Sequence, residues 1–154
     1  MEDVRQISFF RFEDLRIYAK AVDYAQWVLT AMGDPTAEPR KNLFRAFMRS
    51  AYDISLNVAE GSSRNKSQFE HYLKNAKSAI RDCVVYTTIG RKMGFLDDEQ
   101  EEYSRTQLME LTRMIGALII SLQRSLQPRQ EEDTEMALDA VDTSFKTDFP
   151  EIDN

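Results

Sequence analysis

Glu60, in the stretch NVAEGSSR (Asn57 to Arg64), and Asp82, in SAIRD, are the carboxylates that most invite a catalytic reading. Two carboxyls work as acid and base only inside a cleft that drives their proton affinities apart. The chain contains no Gly-rich phosphate loop, no nucleophile beside a base and no His–Asp pair, so no enzyme is expected. Its single histidine, His71, and single cysteine, Cys83, have no neighbours at metal-ligand spacing. No metal, cofactor or small-molecule substrate is therefore expected. Cys83 falls in a helical apolar row, where a thiol is a core residue before it is a nucleophile.

Glu60 raises a structural question. It precedes Gly61, which reads as the C′ terminator of a helix, and the helix dipole already places partial negative charge there. A compensating cation is expected: Arg64, or an Arg or Lys of a neighbouring helix, with Glu60 buried or at an interface. Breaking such a buried pair costs about 3–5 kcal/mol. Asn57, one turn earlier, would join that network or bridge backbone groups. Asn57, Glu60, Gly61 and Arg64 thus read as an architectural corner.

Basic residues carry the second reading. Lys41, Arg45 and Arg49 lie four apart, and Lys74, Lys77 and Arg81 follow three- and four-residue spacing, so each set makes one stripe on a helix. Such stripes can track phosphates. The alternative is a solvated face laced with ion pairs. No helix-turn-helix, RNA-recognition or zinc signature is present, so any RNA contact would be backbone-led and salt-sensitive. The net charge of −6 conceals this, because residues 131–154 hold nine acids and one lysine, leaving 19 basic and 17 acidic residues elsewhere. The body of the chain is near +2 and compatible with an anionic partner.

The elements that position these residues follow from apolar spacing and punctuation. A first helix carries Leu15, Tyr18, Val22, Ala25 and Leu29 and stops at Gly33-Asp34-Pro35. A second has Pro39 in its first turn and Phe44, Phe47, Ala51, Ile54 and Val58 as its seam. The third opens on a capping box of Ser67 and Glu70, carries Phe69, Leu73, Ala76, Ile80, Cys83 and Thr87, and closes at Gly94. The fourth opens on Asp97 and Gln100 and carries Leu108, Leu111, Ile115, Leu118 and Leu122 until Pro128. Expected bounds are about 13–32, 39–60, 68–93 and 98–127, within a bundle domain over 12–128 that follows an extension over 1–11. The fold class is all-α, an antiparallel up-and-down four-helix bundle.

Two helices are more apolar than one seam requires. Met48, Tyr52 and Leu56 flank the second seam, and Leu118, Ile119 and Ile120 follow one another in the fourth. Subunit association would use the surplus, and a thick core is the alternative. Gly90 and Gly116, each costing about 1 kcal/mol against alanine in a helix, suggest close helix approach. Trp27 and the remaining Phe and Tyr residues need no role beyond packing.

FEDLRIYAKAVDY (Phe12 to Tyr24), NVAEGSSR, FEHYLKNAKSAIRD (Phe69 to Asp82) and GRKMGFL (Gly90 to Leu96) together resemble the proteins encoded in intervening sequences of bacterial 23S ribosomal RNA genes. The resemblance spans about residues 12–126 and implies a homopentamer of four-helix bundles. In the third helix the chain departs from the family pattern, with Ala76, Lys77, Ser78 and Ala79 followed by Asp82. A more distant similarity, to the accessory protein of diversity-generating retroelements, implies a reverse transcriptase partner and nucleic-acid affinity.

The acidic tail, 129–154, lies outside the resemblance. Its composition predicts disorder, while Met136, Leu138, Val141, Phe145 and Phe149 would let it dock as an amphipathic turn or two. It would also shield the basic stripes from other polyanions. No run approaches the roughly 20 apolar residues of a membrane span and the N-terminus lacks a signal-peptide pattern, so a cytoplasmic protein is expected. Two functions remain: a homo-oligomeric scaffold associated with RNA, or a protein-interaction adaptor without nucleic-acid affinity.

Overall fold

The computed structural model describes residues 9–127. The expectations for the first residues of the extension and for the tail beyond Gln127 lie outside them. The described residues form a short 3-10 turn, Arg11–Asp14, and four helices: α1 (Arg16–Ala31), α2 (Glu38–Ser62), α3 (Lys66–Lys92) and α4 (Asp98–Leu126). The chain divides into two units, residues 1–122 and 123–154, and the described part of the second is the last turn of α4 and Gln127.

Local chemistry explains three of the helix ends. Pro39 sits in the first turn of α2, where its missing N–H has no intrahelical partner to lose. Asp97 and Gln100 cap α4 reciprocally: the Gln100 N–H donates to Asp97 Oδ1 at 2.8 Å and the Asp97 N–H donates to Gln100 Oε1 at 2.9 Å. Gly94 ends α3 at φ +75°, a left-handed conformation that lets the Phe95 N–H reach the Gly90 carbonyl at 2.8 Å.

Two ends differ from expectation. The cap of α3 is Asn65, whose Oδ1 accepts from the Gln68 N–H at 2.9 Å, and Ser67 lies inside the helix. Gly61 does not terminate α2 either. It is helical and buried, and the helix runs on to Ser62. A Cβ at Gly61 would lie 2.6 Å from Tyr72 Cβ and 2.8 Å from Phe69 Cδ2, so this glycine exists to let α3 approach α2.

Gly61 beside Tyr72 at one end and Leu43 beside Gly90 at the other make α2 and α3 antiparallel. Small buried residues (Ser50 and Ala51 on α2, Ala76 and Ala79 on α3) accompany the most extensive backbone-level contact in the bundle. α4 meets α1 and α3 mainly through side chains rather than by close backbone approach. Trp27 meets Tyr103 with centroids 5.0 Å apart, Lys20 pairs with Glu110, and Arg105 Nη2 donates to Thr88 Oγ1 at 2.6 Å. Gly90 is tight as expected, though against the loop residue Leu96, whose Cδ1 would lie 3.1 Å from a Cβ added at Gly90. A Cβ at Gly116 would meet nothing within 4 Å, so no close approach inside the protomer explains that glycine.

The core seams of α2, α3 and α4 fall largely where spacing places them, with Phe47, Ala51, Ile54, Val58, Leu73, Ala76, Ile80, Cys83, Thr87, Leu108, Leu111 and Ile115 buried. α1 is rotated from its expected face. Ile17, Ala21, Tyr24, Ala25, Val28 and Met32 are buried, while Val22 and Leu29 are exposed. Both rows have helical periodicity, so contacts from the other helices select between them.

A chain of buried hydroxyls fixes that rotation. Tyr24 Oη lies 2.8 Å from Ser104 Oγ, Ser104 Oγ lies 2.7 Å from Thr87 Oγ1, and Thr87 Oγ1 donates to the Cys83 carbonyl at 2.8 Å. Thr87 has one proton and gives it to Cys83, so Ser104 donates to Thr87 and Tyr24 donates to Ser104. Each hydroxyl hydrogen has an acceptor, which makes these buried groups tolerable in an apolar core.

Removal from water pushes both the Tyr24 phenol and the Cys83 thiol well above their ordinary values, and the nearby Asp82 charge adds to the effect on Cys83. Both groups stay neutral in the fold while the unfolded chain ionises, so their stabilisation is intact below the unfolded values and declines as pH rises toward the folded ones. Stability is expected to fall above about pH 8.5 by ~1.4 kcal/mol per pH unit, and more steeply above about pH 10 where tyrosine joins. Urea midpoints between pH 7 and 11 check this. Cys83→Ala should move the onset to about pH 10, and an unchanged onset would contradict the assignment.

Candidate interaction surfaces

At the α2–α3 corner, Arg64 Nη2 and Nε donate to Glu60 Oε1 at 2.6 and 3.1 Å. The Arg64 guanidinium also lies over the Tyr72 ring, 5.7 Å from its centroid. The cation that sequence spacing nominated is thus the one used. The pair is not buried in the protomer, however, because the side chains are 51% (Glu60) and 44% (Arg64) exposed. Asn57 takes no part: its Nδ2 donates to the Asp53 carbonyl at 2.7 Å, within its own helix. An exposed i,i+4 pair, screened by solvent, contributes little to stability. Glu60→Ala should accordingly leave the stability of a dissociated protomer nearly unchanged, read by denaturant unfolding. A marked loss would restore the buried role that the geometry removes.

Among the basic residues, Arg45, Arg49, Lys74 and Arg81 are exposed, and Lys41 and Lys77 are half-buried. Lys74 pairs with Glu70 at 3.2 Å, which matches the solvated-face reading for that residue. Among the described residues no ion pair engages the other five. The two stripes are not at one height. Antiparallel pairing places Lys41, Arg45 and Arg49 toward the Gly90 end of α3, whereas Lys74 and Lys77 lie nearer its Tyr72 end and Arg81 lies midway. They form two separate basic rows on adjacent helices.

Helical spacing continues the α2 row into Tyr52 and Leu56, which are 43% and 60% exposed. Met48 is buried, so only part of the surplus apolar surface on α2 faces out. On α4, Ile119 is buried and Leu118 half-buried, while Ile120 and Met109 are exposed. Val85 and Ile89 add exposed apolar side chains on α3. Every helix therefore carries large apolar groups that its own core does not use.

Two features have no counterpart in the spacing: the buried hydroxyl chain, and a cleft between α1 and the start of α4. Tyr24, Thr87 and Ser104 are too far apart in sequence for local periodicity to connect them. The signal present is a polar residue, Ser104, at an inward position of a helix whose seam is otherwise aliphatic.

Among the described residues no group of three or more His, Cys, Asp or Glu side chains could hold a metal, and no helix is long and apolar enough to cross a membrane. The fold and surfaces define a four-helix bundle with exposed apolar and basic rows. The profile of the 23S rRNA-intervening sequence proteins matches residues 13–117, and the chain belongs to that family. No curated protein gives a match.

Proposed function

We propose that the chain is a non-enzymatic cytoplasmic scaffold that assembles with copies of itself, as a pentamer, and associates with RNA through the phosphate backbone. The observation that carries the assembly is the apolar surface left outside the core on all four helices: Val22 and Leu29, Tyr52 and Leu56, Val85 and Ile89, Met109 and Ile120. Large apolar side chains left outside the core on every helix are what an assembly of such bundles would cover. The pentamer rests on the family resemblance. Support for RNA comes from the cations of the two rows that have no carboxylate partner among the described residues. Repetition around a closed assembly would multiply a weak contact.

Light-scattering mass tests the assembly, and a monomer at micromolar concentration would refute it. Binding to structured RNA tests the second part. Three phosphate contacts to a helical RNA would lose about 40-fold in affinity between 50 and 200 mM salt, and Arg45→Glu with Arg49→Glu should abolish most of the binding. If neither the full chain nor one lacking residues 131–154 binds at low salt, the function is that of a protein-interaction adaptor. Its partner would then be an effector such as a reverse transcriptase, engaged through the apolar rows.

A further inference from the structure

Between the C-terminal half of α1 and the first turn of α4 lies a cleft of about 210 Å³, lined by Trp27, Asp97, Glu99, Gln100 and Tyr103. Trp27 and Tyr103 form an aromatic corner, with centroids 5.0 Å apart and ring planes inclined at 40°. Tyr24 stacks behind Trp27 at 5.9 Å and holds its indole in place. Trp27 is half-buried and Tyr103 is 44% exposed, so the corner is firm on one side and open on the other.

Two carboxylates complete the lining. Asp97 Oδ1 accepts from the Gln100 N–H, and Gln100 ties the wall down by accepting from the Asp97 N–H and donating to the Ala31 carbonyl at 3.5 Å. Glu99 is exposed and has no ion-pair partner among the described residues. The nearby cation Arg91 is committed to Asp98, its Nε donating to Oδ1 at 2.7 Å. The start of α4 contributes about half a positive charge, less than the two carboxylates facing the cleft. The site is therefore net negative, with π faces beside the charge.

We propose that this cleft binds organic cations, taking the guanidinium or alkylammonium head of a basic side chain or of a polyamine. Aromatic faces attract such cations through the ring quadrupole, and adjacent carboxylates add a directed charge. The volume admits a head group and little more, which limits affinity to the order of millimolar. The proposal is independent of the RNA reading, because it concerns cations and a different part of the bundle.

Trp27 is the only tryptophan in the chain, so its fluorescence reports this cleft directly. The full-length protein would be titrated at constant ionic strength with N-acetyl-arginine amide, with spermidine and with tetramethylammonium. A saturable change in Trp27 emission, weakened at least fivefold by Glu99→Gln and lost in Tyr103→Leu, is the expected result. Tighter binding of the arginine derivative assigns the site to basic polypeptides, and tighter binding of spermidine assigns it to polyamines. A change linear in concentration for all cations, or saturation unaffected by Glu99→Gln, would overturn the proposal. Glu99 is exposed, so that variant keeps the fold.

Discussion

Gly61→Ala is expected to destabilise the bundle by about 3 kcal/mol, the upper part of the range for overpacking a tight contact. The usual effect of this substitution inside a helix is opposite in sign, a gain of about 1 kcal/mol. Geometry reverses it here. The new methyl would lie 2.6 Å from Tyr72 Cβ, an atom fixed to the α3 backbone that no side-chain rotation can move. The helices themselves must separate, which loosens the most extensive helix pairing in the fold. For a chain of this size that loss lowers the melting temperature by about 6–12 °C, read at fixed protein concentration. Gly116→Ala is the matched comparison: with nothing within 4 Å of its added methyl, it should stabilise the protomer by about 1 kcal/mol. Equal midpoints for Gly61→Ala and the parent chain would mean that α2 and α3 do not meet as described.

Ser104→Ala is expected to cost about 1–3 kcal/mol, because it leaves the buried Tyr24 hydroxyl without an acceptor. Thr87 remains satisfied, since its proton goes to the Cys83 carbonyl. The distinctive consequence is in the double variant. Removing the orphaned hydroxyl with Tyr24→Phe should return about 1 kcal/mol in the Ser104→Ala background, yet Tyr24→Phe alone should be destabilising. Urea denaturation of the four proteins of this cycle measures the coupling. Strict additivity would show that the two hydroxyls are not bonded. The same cycle reports on α1, because losing this bond removes a polar contact that selects Tyr24 over Tyr18 as the inward aromatic.

The helices and much of their capping were legible because the causes are local. Pro39, Gly94 and the Asp97–Gln100 box act within a turn or two of their own positions, and periodicity over about twenty residues marks a buried side. Asn65 was hidden because Ser67 with Glu70 offers a competing cap two residues on, and both are chemically sound. The charge rows were legible for the same reason as the seams: a helix repeats every 3.6 residues whatever it packs against. Their separate heights were not, since that depends on how α2 and α3 pair. Glu60 and Arg64 found each other as their spacing requires, but exposure is a property of the surroundings, and within the protomer the pair lies at the surface rather than in the core.

What the sequence by itself determined is the number of helices, their order, most of their ends and the residues on each basic row, all set by interactions a few residues long. Tertiary structure decided which of two apolar rows of α1 faces inward, that Gly61 separates two helices rather than ending one, and that Tyr24, Ser104, Thr87 and the Cys83 carbonyl form one chain. It also brought Trp27 to Tyr103 and Glu99. Those outcomes depend on side chains from helices distant in sequence meeting at hydrogen-bonding or van der Waals distance. Periodicity constrains each helix separately and leaves its rotation about its own axis to be set by what it touches.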